Sequence, residues 1–181
     1  MPFDSTNADL SVIPVKTPAE LKRFIALPAR LNAKDPNWIT PLFMERTDAL
    51  TPKTNPFFDH AEVQLFLASR GGRDVGRISA QIDQLTPQPV EGRLDGHFGM
   101  IAAEDDPAVF NVLFRAAEDW LRARGRTHAV GPFNLSINEE VGLLVWGFDT
   151  PPMVLMGHDP IYTGQRVEEQ GYAKAQDLFA Y

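Results

Sequence analysis

Hydrophobic and polar positions alternate weakly at first, over Leu10-Ser11-Val12-Ile13-Pro14-Val15, which predicts an edge strand carrying a proline. The period then lengthens. Leu21, Phe24 and Ile25 share one helical face, and Thr17-Pro18-Ala19-Glu20 ahead of them supplies a capping threonine, a proline for the first helical position and a capping-box glutamate. Pro28 is expected to limit this helix. Thr40-Pro41 opens a second short helix running to about Leu50. Thr51–His60, with two prolines and Phe57-Phe58, predicts an irregular but packed connection. In the centre the period drops to two. Ala61–Ser69 and Asp74–Gln84 read as strands joined by Gly71-Gly72, whose freedom to take positive φ suits a tight hairpin. A loop over Thr86–Gly96 leads to a third central strand, His97–Ala103.

The clearest helix follows. Asp106 caps it, Pro107 opens it, and Val109, Leu113, Ala116, Ala117, Trp120 and Leu121 make its apolar stripe. Arg122, Arg124 and Arg126 complement the dipole at its end, and Gly125 stops it. His128–Phe133 predicts a strand, and Asn138–Val145 fits helix or strand. Met153–Met156 predicts a short buried strand, Pro160–Gln170 a helix closed by Gly171, and Ala175–Tyr181 a final strand.

Composition narrows the function classes without choosing one. The 181 residues include no cysteine, so disulfides, thiolate metal sites and cysteine nucleophiles are excluded. Seventeen basic against 24 acidic residues, a net charge of −7, argue against a nucleic-acid partner. The first ten residues are expected to be a disordered lead-in without the basic and apolar regions of a signal peptide. The longest apolar run, Val141 to Phe148, is far short of the roughly 20 residues that span a bilayer. A cytoplasmic location without an integral membrane segment is the expectation. The four histidines lack metal-ligand spacing, so no metal is expected.

The order of elements, together with Val75-Gly76-Arg77-Ile78, the strand ending at Ala103, the helix from Pro107 and the unit Val167-Glu168-Glu169-Gln170-Gly171-Tyr172, resembles the GNAT acyltransferase fold. Asn55-Pro56-Phe57-Phe58-Asp59-His60-Ala61-Glu62-Val63 through Gly131-Pro132-Phe133-Asn134 also resembles a group of GNAT-like bacterial proteins. Some of these are linked to N-acylation in lipid synthesis; others carry a pyrophosphohydrolase label. The resemblance covers residues 11–181. It implies a mixed α/β domain (α+β) with a central, mostly antiparallel sheet flanked by helices. It also implies transfer of an acyl group from an acyl-CoA co-substrate to a small-molecule amine or lipid precursor. Counted against that fold, the chain ends one strand early, and a homodimer partner or a second domain is expected to supply the strand. Val167–Tyr172 also looks like the tail of a Nudix box, but Gly164 and Gln165 stand where that box needs Arg-Glu, which makes nucleotide hydrolysis the weaker reading.

The same resemblance names site residues. Tyr162, opening the late helix, matches the acid that protonates the leaving thiolate; the competing reading is a packing tyrosine. Candidate bases are Glu139, Glu140 and His97, the glutamates being equally readable as a solvated helix start. Ala102 and Ala103 fall at the strand-to-helix junction where the family holds the coenzyme A pyrophosphate on backbone amides. Here that junction has no glycine, and it carries Glu104, Asp105 and Asp106 before Pro107. Either the donor sits differently or the domain does not bind coenzyme A. Asn134, Ser136 and Asn138 cluster where a strand leaves the sheet; they read as hydrogen-bonding groups for the thioester and pantetheine, or as turn chemistry. A non-catalytic structural or interaction domain on the same fold remains the alternative.

Overall fold

The computed structural model describes residues 9–87 and 91–179. The sheet has five strands in sequential order: β1 (Leu10–Pro14), β2 (Ala61–Arg70), β3 (Arg73–Asp83), β4 (Asp95–Ala103) and β5 (His128–Val130). All neighbours are antiparallel except β4 and β5, which α3 (Pro107–Arg122) joins by a crossover. The β2–β3 hairpin turns on Gly71 and Gly72 at φ 54° and 77°.

Strand alternation separates two cores. Phe66 and Ala68 of β2 face α3, where Phe98, Val109, Phe110, Leu113 and Phe114 pack. Leu65 and Leu67 face the other side, under Phe24 and Leu27 of α1 (Pro18–Leu31) and Leu50 at the end of α2 (Phe43–Ala49). The α1 start follows local chemistry: Thr17 accepts from the Glu20 N–H while Glu20 accepts from the Thr17 N–H. Asp106 caps α3 by accepting from the Ala108 N–H.

Several predicted boundaries need correction. Pro28 does not limit α1, which runs on to Leu31. Proline removes the N–H that would bond the carbonyl four residues back, and the freed Phe24 carbonyl instead accepts from Arg77 Nη1 at 2.8 Å. The strand from His128 ends at Val130. Asn138–Val145 forms neither helix nor strand beyond one bridge between Phe133 and Val141. Met153–Met156 is not a buried strand: Met153, Val154 and Leu155 are all exposed. The late helix, α4 (Thr163–Glu168), is shorter than predicted. Residues 175–179 are exposed and take no strand conformation, and the last two residues of that predicted strand lie outside the described residues, as does most of the predicted lead-in. Among the described residues no helix is long and apolar enough to cross a membrane.

Candidate functional site

Strand β4 is interrupted. Its register against β3 shifts between Arg77 and Ser79, and Met100 takes a positive φ of 49°. Such a bulge takes backbone groups out of the ladder. The Met100 N–H turns to Asn134 Oδ1 at 2.7 Å, and Asn134 Nδ2 donates to Glu140 Oε2 at 2.8 Å. The Asn134 N–H also bonds the Glu140 carbonyl at 2.9 Å. Glu140 Oε1 accepts from Arg46 of α2. One chain of polar contacts therefore ties the central strand to the segment after β5 and to the second helix.

This network lines a cavity of about 290 Å³ between α1, α2, β4 and the segment around residues 132–160. Ile25, Trp38, Ile39 and Phe43 form apolar wall; Arg46, Arg77, Asn134, Glu140, His158 and Asp159 bring polar groups to it. Arg77 leans its guanidinium on the Phe24 ring, 4.7 Å from the centroid. Burial, with Arg46 nearby, pulls its pKa down to about 9. Asp159 accepts from the Leu144 N–H at 2.9 Å. Burial pushes its pKa up to about 6, with Glu140 adding to the rise and the Leu144 bond and His158 opposing it. His158 is itself fixed by Asp35 at 2.9 Å. A carboxyl that titrates near neutrality inside an apolar-walled cavity is suited to moving a proton.

The residues expected from the sequence are only partly assembled here. Asn134, Glu140 and Ala102 line the cavity. Tyr162 lies outside that lining. Its hydroxyl donates to the Ala103 carbonyl at 2.7 Å, its ring packs edge-on to Phe110, and burial raises its pKa to about 12. His97 is buried beside Phe133, with ring centroids 4.6 Å apart, and desolvation lowers its pKa. Glu139 is half-buried and pushed up by burial. Ser136 and Asn138 bond each other in a turn: Ser136 Oγ accepts from the Asn138 N–H at 3.1 Å. Sequence reasoning passed over Arg46, Arg77 and Asp159. Arg77 did leave a signal, as a charged residue inside a strand whose neighbours are apolar.

The junction between β4 and α3 does not offer a diphosphate the amides that the resemblance implies. Pro107 has no N–H, the Ala108 N–H is taken by Asp106, and the Val109 and Phe110 N–H groups bond the Asp106 carbonyl. Its three carboxylates are each held by an arginine: Glu104 by Arg73, Asp105 by Arg166 and Asp106 by Arg70. The donor's diphosphate does not fit at this junction. No group of three or more His, Asp or Glu that could hold a metal occurs among the described residues.

No family model matches the chain. A predicted acetyltransferase from Clostridium acetobutylicum, solved with acetyl-CoA, superposes with a TM-score of 0.58 over 95% of each chain at 8% identity. The fold is that of the GNAT acetyltransferases. Among curated proteins, the bacterial ceramide synthase of Caulobacter vibrioides is 97% identical over all 181 residues, which make up 47% of that protein. Protein YghO of Escherichia coli is 50% identical over 90% of the chain and 41% of its own length. The GNAT-fold chain thus spans about half the length of the curated relatives it matches.

Proposed function

We propose that this GNAT-fold chain forms an amide between a fatty acyl group, delivered as a thioester, and the amine of a long-chain base. The observation that carries the reading is Asp159: a carboxyl held near neutrality in an apolar-walled cavity beside the β4 bulge. The likeness to a bacterial ceramide synthase supports it, since a ceramide is the N-acylated form of a long-chain amino alcohol. An amine attacks only as its free base. Asp159 as carboxylate accepts the ammonium proton, the nitrogen then bonds the acyl carbon, the carbon–sulfur bond breaks with its electron pair on sulfur, and the nitrogen's second proton passes to the departing thiolate. Tyr162 has no part in this step: its hydroxyl lies outside the cavity lining and is committed to the Ala103 carbonyl. Arg46 and Asn134 hold Glu140 at the cavity wall, where it fixes the polar end of the site.

The second reading, a domain that keeps the fold without the chemistry, is favoured by one observation: the α3 amides and the three junction carboxylates are already satisfied by the protein itself. Incubating the natural protein with a long-chain acyl thioester and a long-chain amino alcohol separates the two. Amide should appear by mass spectrometry, and Asp159→Asn should lower its rate by about 100-fold, the lower end of what a positioned base contributes. A folded protein that forms no amide supports the non-catalytic reading.

A further inference from the structure

The proposed chemistry leaves Arg77 without a role. Its Nη1 donates to the Phe24 carbonyl and its face covers the Phe24 ring, but its Nε is shut off from solvent with no hydrogen-bond partner. The nearby acid, Glu140, is already engaged by Arg46 and by Asn134. Two guanidinium groups therefore face one cavity in which Glu140 is bonded by Arg46, and Arg77 makes no ion pair among the described residues. A guanidinium with a buried donor left unfilled is costly. An anion entering the cavity would relieve that cost, and a guanidinium fork is the group that best matches carboxylate or phosphate oxygens.

We propose that Arg77 is an anion anchor, and that the cavity takes an amphiphile whose oxyanion head, a carboxylate or a phosphate, pairs with it. The apolar wall of Ile25, Ile39 and Phe43 takes the alkyl chain, which leads out past the exposed side chains of Leu42 and Met44. This goes beyond amide formation and holds whether or not the chain catalyses it. Where it does, a free fatty acid competes with the substrates for the cavity.

Calorimetric titration of the natural protein with octanoate, octyl phosphate and octanol, at one pH and low salt, tests the anchor without reference to activity. At least one anion should bind at least about tenfold more tightly than octanol, a difference of about 1.4 kcal/mol. Preference for octanoate identifies a fatty carboxylate, and preference for octyl phosphate a phosphorylated lipid. Arg77→Met should abolish the preference while leaving octanol binding unchanged. Where circular dichroism shows that Arg77→Met has lost its fold, Arg77→Lys replaces it and should reduce the preference by about threefold or more, because a point charge lacks the fork. Equal binding of octanol and both anions overturns the proposal, as does a preference that survives in the folded variant.

Discussion

Asn134 shows how much of this site hangs on single hydrogen bonds. It is half-buried, its Oδ1 satisfies the Met100 N–H displaced by the bulge, and its Nδ2 orients Glu140. Asn134→Ala leaves the Met100 N–H without its partner and Glu140 with one contact fewer. We expect a loss of about 1–3 kcal/mol, the cost of a polar group left unsatisfied, read from urea denaturation. Arg77 and Asp159 teach a related lesson. Neither belongs to a short motif, and the properties that matter, a depressed guanidinium and a raised carboxyl, come from burial by segments far away in the chain. Tyr162 and His97, by contrast, are marked by position or residue type, yet the structure places Tyr162 outside the cavity lining and buries His97 against Phe133.

Between elements, the tightest constraint lies where β4 meets the segment after β5. A Cβ on Gly99 would sit 1.8 Å from the Phe133 carbonyl oxygen, a backbone atom that cannot move aside. Gly99→Ala should therefore cost at least about 2 kcal/mol, in the range of core overpacking. Gly164 in α4 has nothing within 4 Å of the same added atom, and Gly164→Ala should be neutral or stabilising by up to about 1 kcal/mol. The same denaturation series measures both. The elements that were legible in the sequence are those with local causes: the Thr17 capping box, the Asp106 cap with Pro107, and the Gly71-Gly72 turn. Residues 131–162 were not, because their course is set by distant partners. Asn134 bonds β4, Arg46 of α2 holds Glu140, and Asn37 reaches the Phe148 carbonyl. The apolar letters of Met153–Leu155 mimic a buried strand, although those side chains face solvent. Pro28 misleads for a similar reason: the carbonyl it frees is bonded by a residue on another element, so the helix continues.

At the scale of the whole molecule, one sheet carries two unlike faces. The α3 side is a closed apolar core, whereas the α1 and α2 side is opened by a cavity with ionisable walls. The order of elements was enough to expect this fold; the cavity's chemistry was not, since it depends on which charged residues fold inward. Charged groups inside and outside the cavity make stability depend on pH in two directions. Asp74, hydrogen-bonded by Arg23, is held below the ordinary aspartate value, so its contribution is present at neutral pH and lost as pH falls through its folded pKa. Asp159 runs the other way. Its folded pKa is raised, so the folded state keeps a proton that the unfolded chain releases, and stability falls as pH rises from about 4 to about 6. Thermal melting of Asp159→Asn should therefore lack that decline and exceed the parent by a few degrees at pH 7.5. Parallel melting curves across the whole range would contradict the assignment.

The central claim is that Asp159 takes the amine's proton during amide formation in this cavity. The measurement that tests it most directly is the pH dependence of amide formation by the natural protein, from a long-chain acyl thioester and a long-chain amino alcohol, beside Asp159→Asn. The account predicts a parent rate that rises with pH up to about pH 6 and then levels off, and a folded, slower variant whose rate keeps rising through that range because only free amine reacts in it. The same bend near pH 6 in Asp159→Asn, or an undiminished rate in that variant, would contradict it.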